Sequence, residues 1–213
     1  MVGWDELACG VAAGRSATLG AMLVHPTAQD LESRLAHIAG SPIDEGVLEM
    51  VVRRPDVDER EVLEQGELDL AVGLVGDTWH VRGSRRTEDG SSHPDMQLNV
   101  MNARVLDAIS AGDRERWRWA GDQLIVDLDL TPENLPVGTQ LALGTAVIEV
   151  TDQPHTGCAK FADRYGVDAL RFVNTGEGKL RRFRGLNARV VVPGTIRPGD
   201  VVVKVTADEP VAA

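Results

Sequence analysis

Residues 121–152 read GDQLIVDLDLTPENLPVGTQLALGTAVIEVTD. Three strand-like runs, GDQLIVDLDL, TPENLPVGTQLALG and TAVIEVTD, follow one another with Gly or Pro punctuation between them. Runs this short, separated by turn residues, predict strands close enough to pair antiparallel. The same texture extends outward. Upstream, residues 46–82 alternate β-type runs (VLEMVV, LDLAVGLV, TWHV) with polar breaks such as RRPDVDERE, as a meander does. Trp117 and Trp119, alternating with Arg116 and Arg118, predict a strand that packs one face inward. Downstream, NARVVVP and VVVKV flank GTIRPGD, where Pro198-Gly199 marks a tight turn.

Helical signals are fewer. In HPTAQDLESRLAHIAGSP, Thr27 and Asp30 have capping-box spacing, Leu31, Leu35 and Ile38 share a face, and Gly40 and Pro42 end the helix. Asn102 caps a second helix through ARVLDAISAG. AKFADRYGVDALRFV reads as a third, with Gly166 able to split it. SRRTEDGSSHPD, residues 84–95, has loop composition. The sum is an α+β chain dominated by strands, a closed or half-closed β-barrel with helices packed at its rim. A parallel βαβ sheet would need a strand–helix rhythm that is missing.

The 213 residues are enough for one substantial core, and we read 25–208 as one domain, with 209–213 as a tail. Residues 1–24, which include the Gly/Ala/Ser-rich ACGVAAGRSATLGA, offer little to pack and read as poorly ordered. With 22 Lys and Arg against 33 Asp and Glu, the net charge of −11 argues against nucleic acid or an anionic membrane as a partner, so an anion must be captured locally. No apolar run is long enough to span a bilayer, and Asp5 and Glu6 stand where a secretory signal carries positive charge, which points to the cytoplasm. Cys9 and Cys158, far apart and in unlike contexts, argue against a disulfide framework.

PHTGCAKF, residues 154–161, places Cys158 where a strand hands over to a helix. Thiol chemistry needs the thiolate, which nearby cations and helix N-terminal amides favour. His155 and Lys160 bring charge, and Gly157 allows a tight approach. The plain alternative is that an isolated cysteine is a small buried hydrophobe. A second local feature is a reversal of sign: Lys179, Arg181, Arg182, Arg184 and Arg189 crowd GEGKLRRFRGLNARV, and in an early-starting strand Arg182 and Arg184 would share a face. Guanidinium forks suit phosphate and pterin acceptors; a charged strand edge that resists aggregation explains the run as well.

Together, QPHTGCAKF, DLTPENLPVGTQLALGTAVIEVT and LRRFRGLNARVVVPGTIRPGDVV resemble the MOSC domain, the module at the C-terminal end of molybdenum cofactor sulfurases and in stand-alone proteins, over residues 95–206. The resemblance implies a mainly β barrel, to which the strands of 46–82 belong, and molybdenum cofactor (molybdopterin) as ligand. It implies that Cys158 either ligates molybdenum or carries sulfur as a persulfide, with His155 and Lys160 beside it. It also implies that Arg181, Arg182 and Arg184 take the pterin phosphate, with Asn99, Asn102, Asn134 and Thr156 as further cofactor contacts, although capping and turn roles explain the asparagines equally well. Many relatives have Gly-Glu-Asn-Leu where this chain has Pro132-Glu133-Asn134-Leu135, a stiffer loop.

Other chemistries lack support. His80, His93 and His155 with Cys158 have no close ligand spacing for zinc. Phosphate-loop, dinucleotide and serine-hydrolase fingerprints are absent, as are an iron–sulfur cysteine set and any sign of flavin or haem. The pyridoxal phosphate domain of complete sulfurases has no room beside the barrel. The expectation is therefore a cofactor-binding protein that works with a separate reductase, reducing N-hydroxylated small molecules, or with a cysteine desulfurase as sulfur donor. The alternative is a non-catalytic module that stores or delivers the cofactor through the arginine patch.

Overall fold

The computed structural model describes residues 25–205; Cys9 and its neighbours, and the 209–213 tail, lie outside the described residues. The chain begins with two short helices, α1 (Ala28–Ser33) and α2 (Leu35–Ala39). Thr27 and Asp30 form the expected capping box, each side chain binding the other's backbone N–H. Then β1 (Glu45–Arg53), β2 (Glu61–Leu63), β3 (Gly66–Asp69) and β4 (Gly73–Leu74) lead to a one-turn helix, α3 (Trp79–Arg82). TWHV is thus helical where a strand was expected. Its start is fixed by buried Asp77, whose carboxylate accepts from the Trp79 N–H at 2.9 Å.

The central segment contributes β5 (Leu98–Asn102), α4 (Ala103–Ile109) and β6 (Leu124–Asp127). Between α4 and β6, Arg114–Ala120 forms a 3₁₀ helix rather than a strand, started by Asp113, whose side chain accepts from the Glu115 N–H. The Trp–Arg alternation is local stacking, with Arg114 over Trp117 and Arg118 over Trp119. The remainder runs β7 (Gln140–Leu143), β8 (Ala146–Val150), α5 (Ala159–Tyr165), α6 (Val167–Asn174), α7 (Gly176–Leu180), β9 (Leu186–Val192), β10 (Gly194–Ile196) and β11 (Val201–Lys204). The third helical stretch does break at Gly166.

The strands close a barrel in the order β1-β11-β7-β8-β9-β5-β6 and back to β1, with β2 appended to β1. Pairing is antiparallel except for β5 with β6, which run parallel through the α4 crossover. Closure depends on β1: its first residues pair with β11, its middle with β6 across a bulge between Leu48 and Met50, and its end with β2. Of the upstream strands, β1 completes the barrel, whereas β3 and β4 form a separate three-stranded sheet with β10.

Period-two alternation sorts the core into two bodies. Leu48, Val51, Leu98, Val100, Leu124 and Val126 fill the barrel. Their neighbours Met50, Val52, Met101 and Ile125 face outward under the helices, packing with Leu31, Ile109, Phe161 and Tyr165. The wall made by β1, β5 and β6 is therefore buried on both sides. The same alternation turns Asn99 of β5 and Asn187 of β9 outward, into the layer where the Cys158 loop runs.

Candidate functional site

Between Thr151 at the end of β8 and Cys158 at the start of α5, the loop lies over a buried polar network on the outer wall of β5 and β9. Asp122, fully buried just before β6, is its centre. Arg184 Nη1 donates to both Asp122 oxygens at 2.8 Å, and His155 Nε2 lies 2.8 Å from Oδ1. Burial alone would raise the Asp122 pKa, but the Arg184 charge and then His155 outweigh it and hold the carboxyl far below the ordinary carboxylate range. An ionised carboxylate only accepts, so the His155 proton is on Nε2. Nδ1 then accepts from Asn99 Nδ2 at 3.4 Å, whose amide also donates to Asn187 Oδ1 at 2.6 Å. Burial, followed by the Arg184 charge, lowers the His155 pKa despite Asp122. His155 is neutral at pH 7, with both nitrogens turned inward.

Next to this network opens a cavity of about 450 Å³ whose wall includes Pro132, His155, Thr156, Lys179, Arg182 and Arg184. The five basic residues expected to form a patch have different roles. Arg181 pairs with Glu177, Arg184 with Asp122, and Arg189 with Asp95 and Glu149. Lys179 and Arg182 have no ion pair among the described residues, and both face the cavity. Arg182 Nη1 reaches across to the Leu135 carbonyl at 2.6 Å. Arg182 and Arg184 are not neighbours on one strand face, because β9 begins only at Leu186 and Arg182 adopts a left-handed turn. The local positive charge thus resides on Lys179 and Arg182, whereas Arg184 supplies donors with its charge matched by Asp122.

Cys158 is exposed, and its backbone caps α5 without a side-chain hydrogen bond. It sits two residues along the chain from cavity-lining Thr156 but is not itself part of the wall. Lys160, beside it in sequence, turns away to Asp58, at 3.0 Å and 3.2 Å, where Arg164 also pairs. The asparagines divide as well. Asn99 belongs to the buried network and also accepts from Arg54. Asn102 caps α4 through the Val105 N–H and donates to Ser41 Oγ and the Leu128 carbonyl. Asn134 ties its loop to the Ile43 and Asp129 carbonyls and accepts from Lys204. Neither Asn102 nor Asn134 reaches the cavity, since all their polar atoms are engaged in capping and loop closure.

Sequence reasoning missed Asp122, Asn187 and Asn174, the last of which lines the cavity and binds the Gly157 backbone. Asp122 had a signal, a carboxylate one residue removed from the apolar LIV run, but its partners lie 33 and 62 residues away. Among the described residues, no group of three or more His, Cys, Asp or Glu side chains is arranged to hold a bare metal ion. None of the helices described is long and apolar enough to cross a membrane.

The model of one protein family, the MOSC domain, matches residues 87–203, more than half of the chain. No curated protein matches the sequence. Among solved structures, the YuaD protein of Bacillus subtilis superposes with a TM-score of 0.55 at 14% identity, over 74% of this chain and 94% of that one. YiiM of Geobacillus stearothermophilus superposes with a TM-score of 0.50 at 17% identity, over 78% of this chain and 75% of the other. At those identities the likeness establishes the fold alone.

Proposed function

The chain belongs to the MOSC domain family, a molybdenum-cofactor-related family, and from that premise we propose that it binds the molybdenum cofactor in the cavity beside the Cys158 loop. The residues present fit such a group. Lys179 and Arg182 bring unmatched positive charge to a chain of net charge −11, and Arg184 Nε is buried without a protein partner. The volume suits a small organic ligand. Lys179, Arg182 and Arg184 would hold the phosphate, Thr156 and the loop backbone would offer polar contacts to the ring system, and Cys158 would supply the sulfur that reaches the metal. When bound, the group would supply the redox chemistry of molybdenum, and a separate reductase the electrons for a small N-hydroxylated substrate.

The observation that carries this reading is an exposed cysteine two residues along the same loop from Thr156, which lines a cavity that also takes in Lys179 and Arg182. The test is molybdenum content after expression in a cofactor-producing host: wild type carries the metal and Cys158→Ser loses it. Wild-type protein with neither molybdenum nor labile sulfur ends the reading. Metal retained by Cys158→Ser, with no turnover of any N-hydroxylated compound, leaves the storage or delivery role.

Because Cys158 stands outside the cavity wall, a protein donor can approach it, which favours a second reading as sulfur carrier. The Cys158 thiolate attacks the terminal sulfur of a cysteine desulfurase persulfide. A new S–S bond forms, the donor's S–S bond breaks, and the donor leaves as its own thiolate. Cyanide-labile sulfur that disappears in Cys158→Ser checks this version, and pyridoxal phosphate then belongs to the donor enzyme.

A further inference from the structure

The loop that carries Cys158 is held by side chains. From residue 152 to 157, among the described residues, no backbone group bonds to another backbone group. Arg86 Nη1 donates to the Gln153 side chain at 3.2 Å on the surface, and three further anchors lie beneath: Asn187 Nδ2 donates to the Gln153 carbonyl at 3.0 Å, the His155 ring is held by Asp122 and Asn99, and Asn174 grips Gly157. Only the last touches the residue next to the cysteine. Asn174 Oδ1 accepts from the Gly157 N–H at 2.9 Å while Nδ2 donates to the Gly157 carbonyl at 3.1 Å, so one planar amide satisfies both polar groups of one peptide residue. Gly157 comes close enough for this because it lacks a side chain: a Cβ there would stand 2.7 Å from Leu170 Cδ1, one turn before Asn174 on α6.

On the far side of the cysteine, the Cys158 carbonyl accepts from the Phe161 and Ala162 N–H groups of α5. Cys158 is thus fixed after its Cα by the helix and before it by Asn174. We propose that Asn174 is a positioning residue, which sets where the Cys158 sulfur stands relative to the cavity. The consequence reaches further, because Asn174 ends α6 and also lines the cavity, and α7 follows directly, leading into Lys179 and Arg182. One side chain therefore joins the thiol loop to the segment that carries the basic wall. The link to the cofactor rests on the function proposed above; the positioning does not.

The experiment places a nitroxide label on Cys158 of the full chain, with Cys9→Ser so that a single thiol reacts, and records its mobility together with exchange of the Gly157 amide. In Asn174→Ala the label spectrum narrows and Gly157 exchange accelerates at least about tenfold, while α5 amides keep their protection. Asn174→Asp, which keeps the acceptor for the Gly157 N–H but loses the donor, restores part of the wild-type signal in a protein less altered in packing. A label spectrum in Asn174→Ala that overlays the wild type, or an unchanged Gly157 amide, overturns the proposal. Molybdenum content separates the two claims. If the label loosens and the metal falls with it, the thiol loop serves the cofactor. If the label loosens while Cys158→Ser itself retains the metal, positioning holds and ligation by Cys158 fails.

Discussion

Replacing Asp122 by Asn removes a charge from the centre of the polar network while preserving its shape. Asp122 is 1% exposed and Arg184 6%, so neither group is solvated once the pair is broken. Both Arg184 contacts are 2.8 Å, and Arg184 has only the Ala120 carbonyl, at 3.2 Å, as a further oxygen partner. Leaving one member of a buried pair uncompensated costs about 3–5 kcal/mol. For a domain of this size, each kcal/mol lowers Tm by roughly 2–4 °C, so the melting temperature should fall by about 6–20 °C. Urea unfolding at pH 7 reads the loss directly, with the slope unchanged if unfolding stays two-state. In the double variant Asp122→Asn with Arg184→Gln, the orphaned charge is gone, and the cycle should return a coupling of about 2 kcal/mol or more. A single-variant loss below about 1 kcal/mol, or strictly additive losses, would refute the picture of a desolvated pair.

Four further outcomes follow from the same geometry. Since the native His155 pKa lies below its ordinary 6.5, the unfolded chain takes up that proton first on acidification; stability is intact above 6.5 and declines as pH falls through the native value, and His155→Gln flattens this part of a pH–stability curve. Asp122, also depressed, adds its own decline only below the ordinary carboxylate value of 3.8, which Asp122→Asn removes. Arg182→Gln should weaken retention of an anionic ligand while shifting Tm by no more than a few degrees, whereas Arg184→Gln should destabilise strongly, because only the latter breaks a buried pair; isothermal titration and thermal melts tell them apart. Asn102→Ala should cost about 1–3 kcal/mol through loss of the α4 cap and two buried hydrogen bonds, with ligand retention per folded molecule unchanged.

What could be read without coordinates was the part encoded by periodicity and by short-range capping. The apolar runs of β1, β6, β7 and β8, the Thr27 capping box, the Asn102 cap and the break at Gly166 all depend on residues within a few positions of one another, and all appear as expected, whereas β5, hidden between a loop and a helix cap, was not legible as a strand. TWHV and RWRW misled because their β-type composition competes with a single nearby carboxylate, Asp77 or Asp113, whose side chain starts a turn. The cavity was legible only as a surplus of cations. Which of them are left without a counter-ion depends on Glu177, Asp122, Asp95 and Glu149, and the last three partners come from distant strands and turns that no local pattern ties to the arginines. His155 was visible as a residue near the cysteine, but its inward orientation follows from Asp122 and Asn99, both remote in sequence.

The hoop of strands is fastened by its two extremities: Glu45, Gly46 and Val47 lock onto Val203, Val202 and Val201. A nascent chain must therefore hold its first strand in waiting until nearly all of the described sequence has left the ribosome, which makes ring closure a late event governed by long-range encounter. The family-matched segment, residues 87–203, contains β11 and β6 but not the strand that joins them. Expressed alone, its barrel would present two raw strand borders, on β11 and β6, where the closed ring has none, and self-association through those borders is the outcome to expect of such a fragment.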